Sequence, residues 1–258
     1  MPALSCLDPH PTGQPAVLLL HGLGADGSSW ALQIPVLSEA GFRPLAPDAP
    51  GFGRSNYDGQ GWNFRRVAAR MVQLLEELGT GPAHVVGLSM GGVIAQQLAL
   101  DFPRVVKKLV LVSTFAFLQP DTFSGWVYFM RRALLVSTLG LPAQARLVAR
   151  RVFPAEENGP LREMLVETIS QANPRAYRRA MFSLGTFDSR RRLREIQVPT
   201  LVVTGADDTT VIPARQKRLA EAIPGAVQQI IPRAGHAVPV DQAESFNRLL
   251  LDFLQENR

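Results

Sequence analysis

Short, largely apolar runs recur along this chain at Ala16–Leu20 and at residues 43–47, 83–87, 106–112, 198–204 and 226–231. Runs of this length, apolar with little alternation, predict strands covered on both faces, as in a parallel sheet. Between them the spacing of apolar positions changes to three and four, with helices predicted to begin near Ser29, Asn63, Met90 and Pro213. In the second of these, Val67, Met71, Leu74, Leu75 and Leu78 share one face, which marks core and gives Met71 no role beyond packing. A last helix is expected from Asp241, with Glu244 three residues on as its cap, burying Phe246, Leu249, Leu250 and Phe253. Strands alternating with helices predict an α/β fold: a mostly parallel sheet of about seven to eight strands with helices on both faces.

The alternation stops after Val112 and resumes at Val198. Residues 114–194 carry helical spacing alone and are read as a cap inserted into a core made of residues 1–113 and 195–258. The start of the insertion, Phe123 to Met130, is rich in aromatics. The insertion also holds the charge: residues 115–194 contain 13 arginines and 6 acidic residues, a surplus of seven in a chain of net charge +5. Arginine suits carboxylate and phosphate, so this asymmetry could draw an anionic substrate, an acidic carrier protein or a membrane surface; solvated helix faces are the plainer reading. No nucleic-acid reader motif accompanies the charge, which argues against that class of partner.

The most informative short segment is Gly87-Leu88-Ser89-Met90-Gly91, which follows a predicted strand and opens a predicted helix. A serine hydroxyl is a poor nucleophile unless it is held in the open beside a base, and a sharp strand-to-helix turn does this by forcing the serine into a strained conformation. Upstream, the run Ala16–Leu20 leads into His21-Gly22-Leu23-Gly24, a glycine-rich loop. In acyl transfer the attacked carbonyl oxygen becomes an oxyanion, and a backbone donor already aimed at it contributes roughly 3 to 4 kcal/mol. The backbone N–H groups of Leu23 and Met90 are the expected donors, and His21 is expected to tie loops together.

Serine chemistry of this type needs a base and an acid further along the chain. One predicted strand ends in Gly205-Ala206-Asp207-Asp208 and another is followed by Ala234-Gly235-His236. Imidazole titrates near neutrality and can take the proton from Ser89 and return it to a leaving group, while a carboxylate fixes its tautomer. Of four histidines, His10 is read as a solvated loop residue, His84 as a packed strand residue, and His236 as the base.

With these segments in order, the chain resembles the α/β-hydrolase fold family over nearly its whole length. The matching residues are His21 to Gly24, Asp48-Ala49-Pro50-Gly51-Phe52-Gly53-Arg54-Ser55, the Ser89 turn, Gly205 to Pro213, and Gly235-His236. The resemblance implies that the acid lies three residues after the glycine, at Asp208; Pro213 follows one residue later than is common, so Asp207 stays the alternative. It also implies a cap above the nucleophile, with Trp126 and Phe129 as pocket-lining candidates, and no cofactor. Its outer antiparallel strands have only about fifteen residues to form in, so one is expected to be short or missing. The Ser89 segment looks most like serine carboxylesterases, enol-lactonases and cofactor-free haloperoxidases.

These readings converge on a serine hydrolase, a carboxylesterase acting on a small-molecule ester of small to medium apolar acyl groups. A lactonase (enol-lactone hydrolase) for an anionic substrate, with Arg54 or Arg131 facing the pocket, is the second enzyme reading, and a ligand-binding receptor that keeps the triad is the non-enzymatic one. One cysteine, Cys6, allows no internal disulfide, no cluster suggests a metal, and no secretory pattern or apolar run of 18 residues is present, so a cytoplasmic protein without membrane insertion is expected.

Overall fold

The computed structural model describes residues 3–118 and 123–256. Among these, seven strands form one sheet: β1 (Cys6–Leu7), β2 (Ala16–Leu20), β3 (Arg43–Pro47), β4 (Ala83–Leu88), β5 (Val106–Val112), β6 (Thr200–Gly205) and β7 (Val227–Ile231), in the order β1-β3-β2-β4-β5-β6-β7. Only β1 runs antiparallel, pairing Cys6 with Pro47 and Leu7 with Ala46. The expected outer strand is therefore present but two residues long. The central strands are in tight register, with Leu20 opposite Gly87 and Leu88 opposite Val112.

Side chains on successive strand residues point to opposite faces, which gives the sheet two cores. Leu18, Leu20, Val85, Leu109, Leu111 and Val202 meet the helices α2 (Phe64–Glu77), α3 (Met90–Asp101) and α8 (Pro213–Ala222). Val17, Leu19, Val86, Val110 and Val203 meet Leu37 of α1 (Ile34–Glu39) and Phe246, Leu250 and Leu254 of α10 (Ala243–Gln255). Helix α2 begins where expected, because Asn63 Oδ1 accepts from Arg66 N at 2.9 Å, and Met71 is fully buried.

Three local expectations are corrected. The helix expected near Ser29 is a short 3₁₀ turn over Gly27–Trp30, capped by Asp26, and α1 starts only at Ile34 with Pro35 in its first turn. The last helix is broken at Gln242 into α9 (Val238–Asp241) and α10, and Asp241 does not cap it: its carboxylate accepts from Gly235 N at 2.8 Å. His10 is half-buried, with Nδ1 2.9 Å from Phe42 O, so it is a packed residue.

Four helices, α4 (Phe123–Thr138), α5 (Gly140–Val152), α6 (Gly159–Gln171) and α7 (Pro174–Thr186), lie between β5 and β6. The two ends of this insertion are joined: Phe117 and Asp188 form a β-bridge, Ser189 N donates to Ala116 O at 3.0 Å, and Ser189 Oγ donates to Gln96 Oε1 at 2.8 Å. Several of its arginines are spent on local ties, Arg190 to Asp188 at 2.6 Å and Arg192 to Asp101 and Glu195, both at 2.9 Å. Among the described residues no helix is long and apolar enough to cross a membrane.

At the opposite end of the sheet, His84 sits at the start of β4 against the Phe42 ring. Burial, then Lys108 and Lys107, push its imidazole down to about 4. An unfolded chain takes up that proton near pH 6.5, before the folded one does, so His84 should cost stability progressively as pH falls from about 6.5 to 4. Allowing for solvent screening, the loss is about 2 kcal/mol, and His84→Gln should show a shallower decline of melting temperature over that range. Parallel pH–Tm curves for the two proteins would refute this.

Candidate active site

Because β2, β4, β6 and β7 run parallel, the segments that follow them all emerge at one edge of the sheet. Those segments carry His21 to Gly24, Ser89, Asp207 with Asp208, and His236.

Ser89 lies between β4 and α3 with φ 54° and ψ −109°, in the left-handed half of backbone space that a non-glycine residue adopts only when its surroundings enforce it. The enforcement is visible. Ser89 N donates to Val112 O at 2.9 Å, and Ser89 O accepts from Thr114 Oγ1 at 2.8 Å. The flanking glycines are required by space: a Cβ on Gly87 would lie 2.3 Å from Gly91 O, and one on Gly91 would lie 1.9 Å from Leu20 O. Helix α3 is thus pressed against the ends of β2 and β4, with Ser89 at the crest of the turn.

The loop after β2 stands beside this turn, since a Cβ on Gly22 would be 3.8 Å from that of Ser89. His21 holds the loop. Its Nδ1 bonds Gly22 O at 2.8 Å and its Nε2 accepts from Ala49 N at 2.9 Å, which fixes a neutral tautomer. Burial pushes the His21 imidazole below its ordinary value, in keeping with that neutral form. Asp48 anchors the next loop, accepting from Gly27 N at 2.8 Å and Arg54 N at 2.9 Å. Leu23 is half-buried in the first loop. Met90 is fully buried, and its N–H, first in α3, has no acceptor within the helix.

His236 Nδ1 lies 3.0 Å from Asp208 Oδ2, and both residues are buried. Packing of the neighbouring loops creates this contact: Asp207 N donates to Ala234 O at 2.9 Å, and a Cβ on Gly205 would strike Gly235 O at 2.1 Å. Asp208 Oδ1 accepts from Thr210 N at 2.8 Å and Val211 N at 2.9 Å, and Oδ2 also accepts from Gln216 Nε2 at 3.0 Å. Asp207 is exposed. With Nδ1 committed to the carboxylate, Nε2 is the ring nitrogen open to proton transfer. His236 is held from a second side by Asp241, whose bond to Gly235 N fixes the loop and whose carboxyl is pushed above the usual range by burial.

The insertion reaches this edge in two places. A Cβ on Gly24 would lie 2.6 Å from Ile169 Cγ1 and 3.1 Å from Tyr177 Cε2, so α6 and α7 rest on the loop after β2. At the end of α5, Arg151 Nη2 donates to Thr209 O at 2.5 Å, and Val152 O faces Gly235. The side chains of Trp126 and Phe129 lie outside the described residues. Among the described residues no group of three or more His, Cys, Asp or Glu is placed to hold a metal ion. Gln216, Thr114 and Tyr177 carry no signal in the sequence: each is one polar or aromatic residue in an ordinary segment, and only the fold brings it to this edge.

The sequence matches the alpha/beta hydrolase family over residues 17–249. The chain belongs to that family. It is 34% identical over 253 residues to the putative carbamate hydrolase RutD of Variovorax paradoxus (strain S110), covering 95% of this chain and 93% of that protein. Among solved structures it resembles the enol-lactonase from Burkholderia xenovorans LB400 (TM-score 0.89, 28% identity, 98% of this chain and 96% of that one). It also resembles a thermophilic esterase from Thermogutta terrifontis (TM-score 0.86, 29% identity, 98% and 93%). As a member of this family the protein is a hydrolase, with the seven-strand, mostly parallel sheet expected of it.

Proposed function

We propose that this hydrolase is a serine esterase that cleaves carboxylic esters of small to medium apolar acyl groups through an acyl-enzyme. The observation that carries this reading is the buried Asp208–His236 pair at the same sheet edge as the strained, positive-φ Ser89. Ser89 Oγ attacks the ester carbonyl carbon while its proton passes to His236 Nε2. Asp208 holds Nδ1–H and stabilises the imidazolium. The N–H groups of Leu23 and Met90 stabilise the oxyanion, and as the C–O bond breaks His236 gives its proton to the leaving alkoxide. Water, deprotonated by the same imidazole, then attacks the acyl carbon and releases Ser89. Residues 114–194 act as a cap over this edge, with Trp126 and Phe129 as pocket-lining candidates.

Likeness to an enol-lactonase favours lactone hydrolysis as a second reading, since ring opening uses the same attack and the same proton transfers. A fluorophosphonate titration followed by mass spectrometry should label Ser89 with one equivalent. A series of p-nitrophenyl esters should then gain about fourfold in kcat/KM per methylene, at about 0.8 kcal/mol each, until the pocket is full. Lactones cleaved faster than any ester would favour the second reading. No labelling and no turnover, with a ligand that raises Tm saturably, would replace both with a binding protein.

A further inference from the structure

Gln216 lies on α8 and is fully buried. Its Nε2 donates to Asp208 Oδ2 at 3.0 Å and to Val211 O at 2.7 Å. Both partners can only accept, since Asp208 already receives Thr210 N, Val211 N and His236 Nδ1, so the amide cannot be turned over without setting oxygen against oxygen. The cost of this orientation is visible in its other half: among the described residues Gln216 Oε1 is buried with no hydrogen-bond partner. A buried acceptor left unpaired is destabilising, and an apolar side chain of the same length would avoid it. The chain keeps the polar group where it serves the backbone of the Asp208 loop at Val211 and the oxygen that faces the imidazole.

We infer that Gln216 is a positioning residue that sets how strongly Asp208 stabilises the His236 imidazolium. Oδ2 is shared by two donors, Gln216 Nε2 and His236 Nδ1. The glutamine donor adds to the Thr210 and Val211 amides in fixing the carboxylate, and it draws charge from the Oδ2 lone pairs that the ring N–H would otherwise use alone. Removing it leaves a more basic Oδ2, which stabilises the protonated ring more and holds the base in its charged form to higher pH. A ring that stays protonated to higher pH is available as a base in fewer molecules near neutrality, so the donor matters for rate there. This role rests on the proposed serine–histidine–aspartate chemistry for its effect on turnover, but not for its effect on the ring itself.

The test uses the full chain with ¹⁵N-labelled histidine. Four histidines give few resonances, and His236→Gln assigns the one of interest. In Gln216→Leu and Gln216→Met the titration midpoint of His236 should rise by at least half a pH unit over the native protein. The acid limb of kcat/KM for p-nitrophenyl butyrate should rise by the same amount, with kcat at pH 7 down by up to about threefold for a half-unit shift and KM within twofold. Gln216→Leu is the primary variant and Gln216→Met replaces it if the branched side chain is not accepted. An unmoved His236 midpoint in a folded variant overturns the inference, as does failure of both variants to fold, which would make Gln216 part of the scaffold. A native protein without esterase activity would sink the esterase reading alone, because the NMR midpoint is read without substrate.

Discussion

Ser89→Ala should lower kcat/KM for p-nitrophenyl butyrate by at least about 10⁴-fold, equivalent to about 5.5 kcal/mol of transition-state stabilisation. The residue is forced to φ 54° by bonds from its own backbone to Val112 and Thr114, none of which uses its hydroxyl. Alanine at the same φ therefore keeps those bonds, and Tm should stay within a few degrees of the native value. Activity and stability are thereby separated in one variant. The neighbouring acids make the same experiment discriminating: Asp208→Asn should lose about 10³- to 10⁴-fold, because an amide cannot hold the ring tautomer that a carboxylate holds. Asp207→Asn, at an exposed position, should stay within twofold. Near-native hydrolysis by Ser89→Ala, or the reverse order of the two aspartate variants, would overturn the assignments.

Gly91→Ala should be strongly destabilising. Its Cβ would sit 1.9 Å from Leu20 O, 2.5 Å from Leu20 C and 2.9 Å from His21 O, all backbone atoms that cannot swing aside. Either α3 lifts off the sheet or the end of β2 moves, and both disturb fully buried neighbours such as Val93 and Leu20. A loss of about 3 kcal/mol or more is expected, or roughly 6–12 °C in Tm for a chain of this size. Gly81 supplies the control, since a Cβ there meets nothing within 4 Å. Gly81→Ala should change stability by less than about 0.5 kcal/mol. Equal melting temperatures for the two alanine variants would mean that α3 is less tightly seated than the distances require.

Much of this architecture is legible in the sequence because the signals are local. Continuous apolar strands, the Ser89 turn and the Asn63 and Pro213 helix starts depend on residues within a few positions of one another. The failures have a common physical origin in competition from distant partners. Asp241 followed by Glu244 reads as a helix cap, but the folded chain offers the Asp241 carboxylate the Gly235 N–H instead, and the helix breaks at Gln242. The sequence near Ser29 can start a helix, but Asp26 turns it into a 3₁₀ segment before Pro35 opens α1. At the site, Asp207 and Asp208 are adjacent in sequence, and only the packing of the loops after β6 and β7 sets one toward His236. Gln216, eight residues past Asp208, carries no signal at all until α8 folds back over the loop.

The contact between Arg151 and Thr209 has a mechanical side. Thr209 is the residue between Asp208 and the Thr210 and Val211 amides that hold its carboxylate. A guanidinium from α5 thus grips the peptide next to Asp208, and Val152 O beside it faces Gly235 on the segment that carries His236. A displacement of the end of α5 would therefore disturb the segments that carry Asp208 and His236 together. The alignment of two residues 28 positions apart in the sequence is thus tied to a helix outside the sheet as well as to the sheet itself.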